Sequence, residues 1–496
     1  MKLHRSSGVL LPLFSLPSNY GVGAMGKAAY DFIDFLADAG QSWWQILPVG
    51  PTGYGDSPYS GFSTFAGNPY FIDLDLLVEA GLLEKSELQG VDFGSNRQKV
   101  DYEKQYANRL PLLRKAAERG LNRDTTNFEN FRRDNARWLE PYALFMALRD
   151  HFDGQPWMEW PEDIRLRRGE AVERYTRELK SDVDYYAYTQ YLFFAQWEQL
   201  HAYAKSKGIG IIGDLPIYVA LDSADVWAEP EFFQLDDQNV PTAVSGVPPD
   251  AFTADGQLWG TPLYDWDAQR RDGYGWWIRR VEGAAKRYDV LRIDHFRGFE
   301  AYWSVPYGEE TAKNGKWVKG PGMDLVGRLT AWFSDLQFIA EDLGYITPEL
   351  RELLDDSGLP GMKVLEFAFD HREPSDYLPH NYEKNCICYA GTHDNNTICG
   401  WLSEVDREDL DYARDYLGLN DDEGYAWGIL RGGLSSTAVL FVAQLQDYLG
   451  LGSEARINTP GSVGGNWNWR LLPGTLNAAL AERISAASKR YGRYRK

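Results

Sequence analysis

Eight short apolar runs with helical patterns between them constrain this chain more than any other feature. They are Gly8–Pro17, Gln41–Val49, Gly208–Val219, Tyr288–Asp294, Phe338–Asp342, Met362–Phe369, Cys386–Gly391 and Val439–Leu445. Strand-length apolar runs alternating with helical spacing predict parallel strands and crossover helices, hence a (β/α)8 TIM barrel. Helical spacing marks Ala29–Ala39, Trp317–Leu336, Pro348–Asp356, Glu408–Leu417 and Glu423–Leu434. The spacing of the runs is uneven. After the second comes a charged, mostly helical stretch with aromatic-rich amphipathic helices at Asn135–Asp150 and Asp184–Lys205. It predicts an inserted, mostly helical subdomain over about 50–207. A second insertion, an irregular loop region, is expected over about 220–287. No linker divides the chain, so 1–496 is expected to form one barrel domain.

Charge narrows the partners. The 496 residues carry 51 basic and 72 acidic side chains, a formal net charge of −21. Nucleic acids and anionic membranes require a basic face, so neither is expected. The 18 Trp and 30 Tyr suit flat polyhydroxylated ligands, whose C–H faces stack on rings. Cys386, Cys388 and Cys399 form neither a disulfide framework nor a zinc pattern. The apolar stretch near the N-terminus is broken by Pro12 and Pro17 and does not read as a signal peptide. These features predict a cytoplasmic protein, monomer or homodimer.

Polar residues cluster at the ends of particular runs, where a barrel builds its active site. In Tyr288–Glu300, YDVLRIDHFRGFE, Arg292 and Asp294 interleave with apolar residues. Arg292 is expected to hold Asp294 ionised and depress its pKa, as a glycosidic nucleophile requires. A structural ion pair is the alternative. Phe338–Gly344, FIAEDLG, places Glu341 beside Asp342, and only one can face the barrel mouth. Glu341 reads as a general acid, or else the pair forms a solvated turn. In Gly391–Thr397, GTHDNNT, His393 and Asp394 offer a donor and an acceptor for a vicinal diol, or else the segment is an Asx turn. Asp214 ends the third run. The loop Gly50–Gly61, GPTGYGDSPYSG, has the composition of a functional loop.

The order Asp214, Arg292-x-Asp294, Glu341, His393-Asp394 resembles the α-amylase clan. The detail is closer to its 4-α-glucanotransferase family, the amylomaltases and disproportionating enzymes. The resemblance rests on SPYSGFSTFAGNPYFID (Ser57–Asp73), GDLPIYVA (Gly213–Ala220), GVPPDAFTADGQLWGTPLYDW (Gly246–Trp266), LRIDHFRGF (Leu291–Phe299), AEDLG (Ala340–Gly344), GTHDNNT and NTPGSVGGNWNWR (Asn458–Arg470). It implies Asp294 as nucleophile, Glu341 as acid/base and Asp394 as transition-state stabiliser. Arg292, His393 and Asp214 would line the cleavage subsite. Ser57, Tyr59, Trp259, Asn395 and Asn466 would contact sugars. The implied partners are maltooligosaccharides and α-1,4-glucans. No metal or other cofactor and no C-terminal β-domain are implied. One departure is Ala251, where many family members carry an aromatic, leaving Phe252 as the remaining lid aromatic.

A glucosyl group on Asp294 is released by water or by a sugar hydroxyl. The loops with Tyr54, Tyr59, Phe252 and Trp259 are expected to cover the cleft and bind an acceptor, which excludes water. The readings are therefore a 4-α-glucanotransferase acting by retaining double displacement, an α-glucan hydrolase, or an inactive glucan-binding barrel. The three carboxylates argue against the last.

Overall fold

Alternation along the short strands sorts side chains between two cores. Leu10, Trp43, Ile212, Val290, Ile339, Met362, Val364, Ile387, Tyr389, Leu440 and Val442 pack together inside a ring of strands. Their neighbours, among them Val9, Trp44, Ile211, Leu291, Phe338 and Phe441, face outward into the large core beneath the helices. In this computed structural model, residues 3–53, 55–123, 125–249, 253–344, 346–462 and 464–495 are described. Tyr54, Ala251 and Phe252, expected in the lid loops, lie outside them.

Among the described residues the twelve strands are β1 (Ser6–Leu10), β2 (Trp43–Gln45), β3 (Gly210–Leu215), β4 (Ala243–Val247), β5 (Gln257–Pro262), β6 (Val290–Ile293), β7 (Ala301–Pro306), β8 (Lys316–Lys319), β9 (Gln337–Ala340), β10 (Gly361–Val364), β11 (Cys386–Tyr389) and β12 (Leu440–Gln444). Eight form the parallel sheet β10-β11-β12-β1-β2-β3-β6-β9. The Ala340 N–H donates to Pro360 O at 2.9 Å, linking β9 to the residue before β10 and closing the ring. The eight expected runs supply these eight strands, so the (β/α)8 fold is as the sequence predicts. Gly213 is required on β3, because a Cβ there would sit 2.2 Å from the Tyr288 ring. Cys386 and Cys388 share the outward face, both buried and free.

Several expectations need correction. The first strand is Ser6–Leu10, not Gly8–Pro17; Pro12 has no N–H to pair, and Leu13–Ser15 forms a 3-10 turn. The sixth run leaves the sheet after Val364 for a 3-10 turn at Leu365–Phe367. The segment read as irregular, Asp222–Arg287, holds β4, β5 and the helices Trp266–Arg271 and Gly275–Ala285. With β7 and β8 these strands build an antiparallel sheet, order β5-β4-β7-β8, that the sequence reading missed. Trp317 belongs to β8, and the helix expected from there starts only at Met323.

Between β2 and β3 run the long helices Thr126–His151 and Lys180–Ser206. Arg132 joins them, bridging Glu140 at 2.6 Å and Asp184 at 2.7 Å. Among the described residues no strand follows β12, and the last helix is Ala478–Arg490. No helix among them is long and apolar enough to cross a membrane.

Candidate active site

Strand register brings the first charges together. Asp214 on β3 pairs with Arg292 on β6, and directly opposed residues share a face. Arg292 Nη1 donates to both Asp214 oxygens at 2.7 Å and to Asp294 Oδ1 at 2.9 Å. The guanidinium is 3 % exposed and Asp214 is fully enclosed. Tyr59, from the loop after β2, donates its hydroxyl to Asp214 Oδ2 at 2.7 Å. Its ring stacks on His393, with centroids 5.1 Å apart and planes 16° from parallel.

The next strand adds the second carboxyl. Ile293 of β6 pairs with Ala340 of β9, so Asp294 and Glu341 each stand one residue beyond the paired ends. The Glu341 N–H donates to Ile293 O at 3.0 Å. The Glu341 carboxylate accepts from the backbone N–H of His295 at 2.7 Å and of Leu343 at 2.8 Å. His295 lies in the left-handed region, φ 51°, an uncommon conformation outside glycine, and this presents its N–H to Glu341. Asp342 turns the other way, is buried, and accepts from Met362 N at 2.7 Å. Alternation thus gives Glu341 to the mouth and Asp342 to the wall.

The expected lowering of the Asp294 pKa is overturned. Burial, with Asp214, Glu341 and Asp394 nearby, raises its carboxyl to about 8 against the pull of Arg292. The expectation counted one cation and omitted three converging anions. Burial also raises Glu341, opposed by Arg292 and its two N–H donors.

The third carboxyl comes from the turn after β11. Asp394 is 42 % exposed on its side chain and lies 3.3 Å from Nε2 of buried His393. Burial lowers the His393 pKa and favours neutral imidazole, and its Nδ1 is sealed without a hydrogen-bond partner. Three residues that the sequence reading missed complete this corner. Asn458 Nδ2 donates to Asp394 Oδ1 at 2.6 Å. Arg456 donates to the Asp394 carbonyl at 2.7 Å. Trp467 packs at 5.7 Å from the Tyr59 ring and 6.0 Å from His393. Asn458 and Trp467 fall inside the motif that carried Asn466, which was the available signal.

The remaining candidates are more peripheral. Trp259, on β5, is 38 % exposed and meets the His295 ring edge-on at 4.8 Å, which ties the small sheet to the mouth. Ser57 Oγ accepts from Tyr59 N at 3.3 Å and so shapes the Tyr59 turn. Asn395 Oδ1 accepts from Thr392 N at 2.9 Å and Thr392 Oγ1 at 2.8 Å, so this side-chain oxygen closes the turn. Asn466 braces its own loop through Thr459 N and Ser462. Among the described residues one group, Asp370, His371 and Asp409, brings metal-ligating atoms within 4.8 Å of one another. Both Asp370 oxygens accept from Arg372, and Asp409 pairs with His371, so these ion pairs already use the group.

An eight-stranded parallel barrel with acids, an arginine and aromatic rings gathered at the C-terminal ends of its strands defines a (β/α)8-barrel enzyme. The 4-alpha-glucanotransferase family model matches residues 11–475. A 4-alpha-glucanotransferase of Clostridium butyricum is 49 % identical over 481 residues, covering 97 % of this chain and 99 % of the relative. One from Thermus thermophilus is 47 % identical over 500 residues, covering 99 % of both. The structure of Streptococcus agalactiae amylomaltase in complex with acarbose superposes with a TM-score of 0.97 at 41 % identity, covering 99 % of this chain and 100 % of that one. The chain therefore belongs to the 4-α-glucanotransferase family, enzymes acting on α-glucans.

Proposed function

We propose that this enzyme moves α-1,4-glucan segments between maltooligosaccharides by a retaining double displacement. The observation that carries the reading is the Asp294–Glu341 pair on adjoining strand ends, with Arg292 bound to Asp294. Retaining chemistry needs two carboxyl groups about 5–5.5 Å apart, and neighbouring strands run about 4.8 Å apart. Asp294 carries the negative charge of the pair, because the Arg292 contact at 2.9 Å stabilises it there. Glu341 carries the proton.

In the first step an Asp294 oxygen bonds to the anomeric carbon as the glycosidic C–O bond breaks. Glu341 gives its proton to the departing sugar oxygen, leaving a glucosyl ester. In the second step Glu341 takes the proton of an acceptor 4-hydroxyl, whose oxygen attacks the same carbon and frees Asp294. Asp394, held by Asn458, binds hydroxyls of the ring as it flattens towards the oxocarbenium ion. Arg292 and Asp214 fix the floor, and Tyr59 and His393 supply a wall. Trp259 offers a face to an acceptor sugar, which displaces water from the intermediate.

The Streptococcus agalactiae amylomaltase was solved in complex with acarbose, which supports oligosaccharide binding by this chain. We read 1–496 as one catalytic unit, with the helices after β2 as an inserted subdomain. The free cysteines suit a reducing compartment. Chromatography of products from maltotriose alone tests the reading. A ladder of shorter and longer sugars, with free glucose and little gain in reducing ends, is expected. Only shorter products with rising reducing ends would mean that water is the acceptor.

A further inference from the structure

Arg280 lies on the helix Gly275–Ala285 and is 1 % exposed. Burying a guanidinium is costly unless its donors are met. Here neutral oxygens from three separate segments meet them. Nε donates to Thr64 Oγ1 at 2.9 Å, in the loop that follows Tyr59. Nη2 donates to the Pro216 carbonyl and Nη1 to the Ile217 carbonyl at 2.9 Å, both just beyond Asp214 at the exit of β3. Nη1 also donates to the Tyr264 hydroxyl at 3.1 Å, which in turn donates to Ile217 O at 2.8 Å. The rings of Trp276 and Trp277 lie 5.5 and 4.8 Å from the guanidinium carbon.

Each segment carries part of the catalytic mouth. Thr64 is fixed at every polar group, since its N–H also donates to Asp225 at 2.8 Å and its carbonyl accepts from Arg287 at 3.0 Å. A few residues before it stands Tyr59, whose hydroxyl holds Asp214. The exit of β3 presses on the turn after Asp294, where a Cβ on Gly298 would lie 2.6 Å from Ile217 Cδ1. That turn supplies the His295 N–H to Glu341. The next residue, Tyr218, has its ring 6.3 Å from that of Trp259. Behind Tyr59 and Asp214 the wall is hollow. Both line a void of about 40 Å³, which Arg280 and Arg287 also line. The guanidinium, rather than apolar packing, joins the segments at this point.

We infer that Arg280 is a positioning residue that sets how the glucosyl intermediate divides between a sugar acceptor and water. The inference rests on the double displacement proposed above. Arg280 is too buried to touch substrate and acts through the segments it ties. Freeing the Tyr59 loop displaces the wall of the cleavage site, where misplacement by about 1 Å costs up to ~10²-fold in rate. Freeing the β3 exit lets Tyr218 move from Trp259 and admits water beside the acceptor face. A residue serving stability alone would lower the folded fraction and leave the choice between sugar and water unchanged.

Three variants test this with maltotriose as substrate. Arg280→Met removes every donor, Arg280→Lys keeps the charge on a single donor atom, and Thr64→Val removes one bond. The readout is the gain in reducing ends per glucose released. Both quantities come from active molecules only, so their ratio does not depend on how much protein is folded. The ratio is expected to rise about fivefold in Arg280→Met, with kcat about tenfold lower. Arg280→Lys should recover part of both losses, and Thr64→Val should shift the ratio in the same direction by less. If Arg280→Met does not fold, the other two variants decide. An unchanged ratio in every variant that folds overturns the inference, whatever happens to Tm. A parent enzyme that yields only shorter sugars with rising reducing ends would instead refute the transfer reaction itself.

Discussion

Replacing Asn458 with Ala removes the hydrogen bond to Asp394 Oδ1, 2.6 Å long in the structure. A bond from a neutral donor to a charged acceptor contributes about 1.5–3 kcal/mol. Two facts set the value within that range. Asp394 is 42 % exposed, so water replaces part of what is lost. Its second oxygen keeps His393 Nε2 at 3.3 Å, and Arg456 still holds its carbonyl. The lower end, about 1.5 kcal/mol, therefore applies, which is roughly a tenfold loss of rate. Because Asp394 is assigned to the transition state, the loss should fall on kcat, with KM for maltotriose changed less than about twofold. Asn458→Asp should be worse than Asn458→Ala, because it sets a like charge against Asp394. The assay is the initial rate of glucose release from maltotriose. An Asn458→Ala enzyme within about twofold of the parent, or an Asp variant equal to the Ala variant, would refute the reasoning.

Two further predictions concern pH. Asp447 is fully buried, with Oδ1 accepting from Ile398 N at 2.8 Å and Oδ2 unpartnered, and burial raises it to about 7. A folded pKa above the unfolded value near 3.9 means that its stability contribution is complete below about pH 4 and is lost as pH rises through 7. Asp447→Asn should accordingly raise Tm at pH 8, by up to about 4 kcal/mol of stability, and give no gain at pH 4 in thermal melts. Burial raises the Glu341 carboxyl above an ordinary glutamate, so kcat for maltotriose should hold above the usual carboxylate range and decline only as this proton is lost at higher pH. A rate that falls already at the ordinary glutamate value of about 4.3 would contradict the assignment of the proton.

The barrel was legible because its strands are buried on both faces and read as continuous apolar runs. The small sheet was not. Its strands, AVSGV, QLWGTP, AYWSVP and KWVK, mix buried with exposed positions, and the first three carry glycine or proline. β4 pairs with β7 across an intervening strand, two helices and β6, a pairing that no local spacing carries. Asp294, Glu341 and Asp394 announced themselves as charges at strand ends, and the local pattern also gave the Arg292–Asp294 contact. Asn458 and Arg456 lie more than sixty residues from the Asp394 they hold, a pairing that no local spacing carries. The error over the Asp294 pKa has the same origin. Arg292 is two residues away and visible, whereas Asp214, Glu341 and Asp394 reach it only through the closed barrel.

The central claim is that Asp294 forms the covalent bond to the sugar. Peptide mass spectrometry of Glu341→Gln protein treated with an α-maltosyl fluoride tests it, because the fluoride leaves without an acid and the second step stalls. A maltosyl adduct on the peptide carrying Asp294, absent in the Asp294→Ala background, is predicted. An adduct on another residue, or turnover with inverted configuration and no adduct, would contradict it.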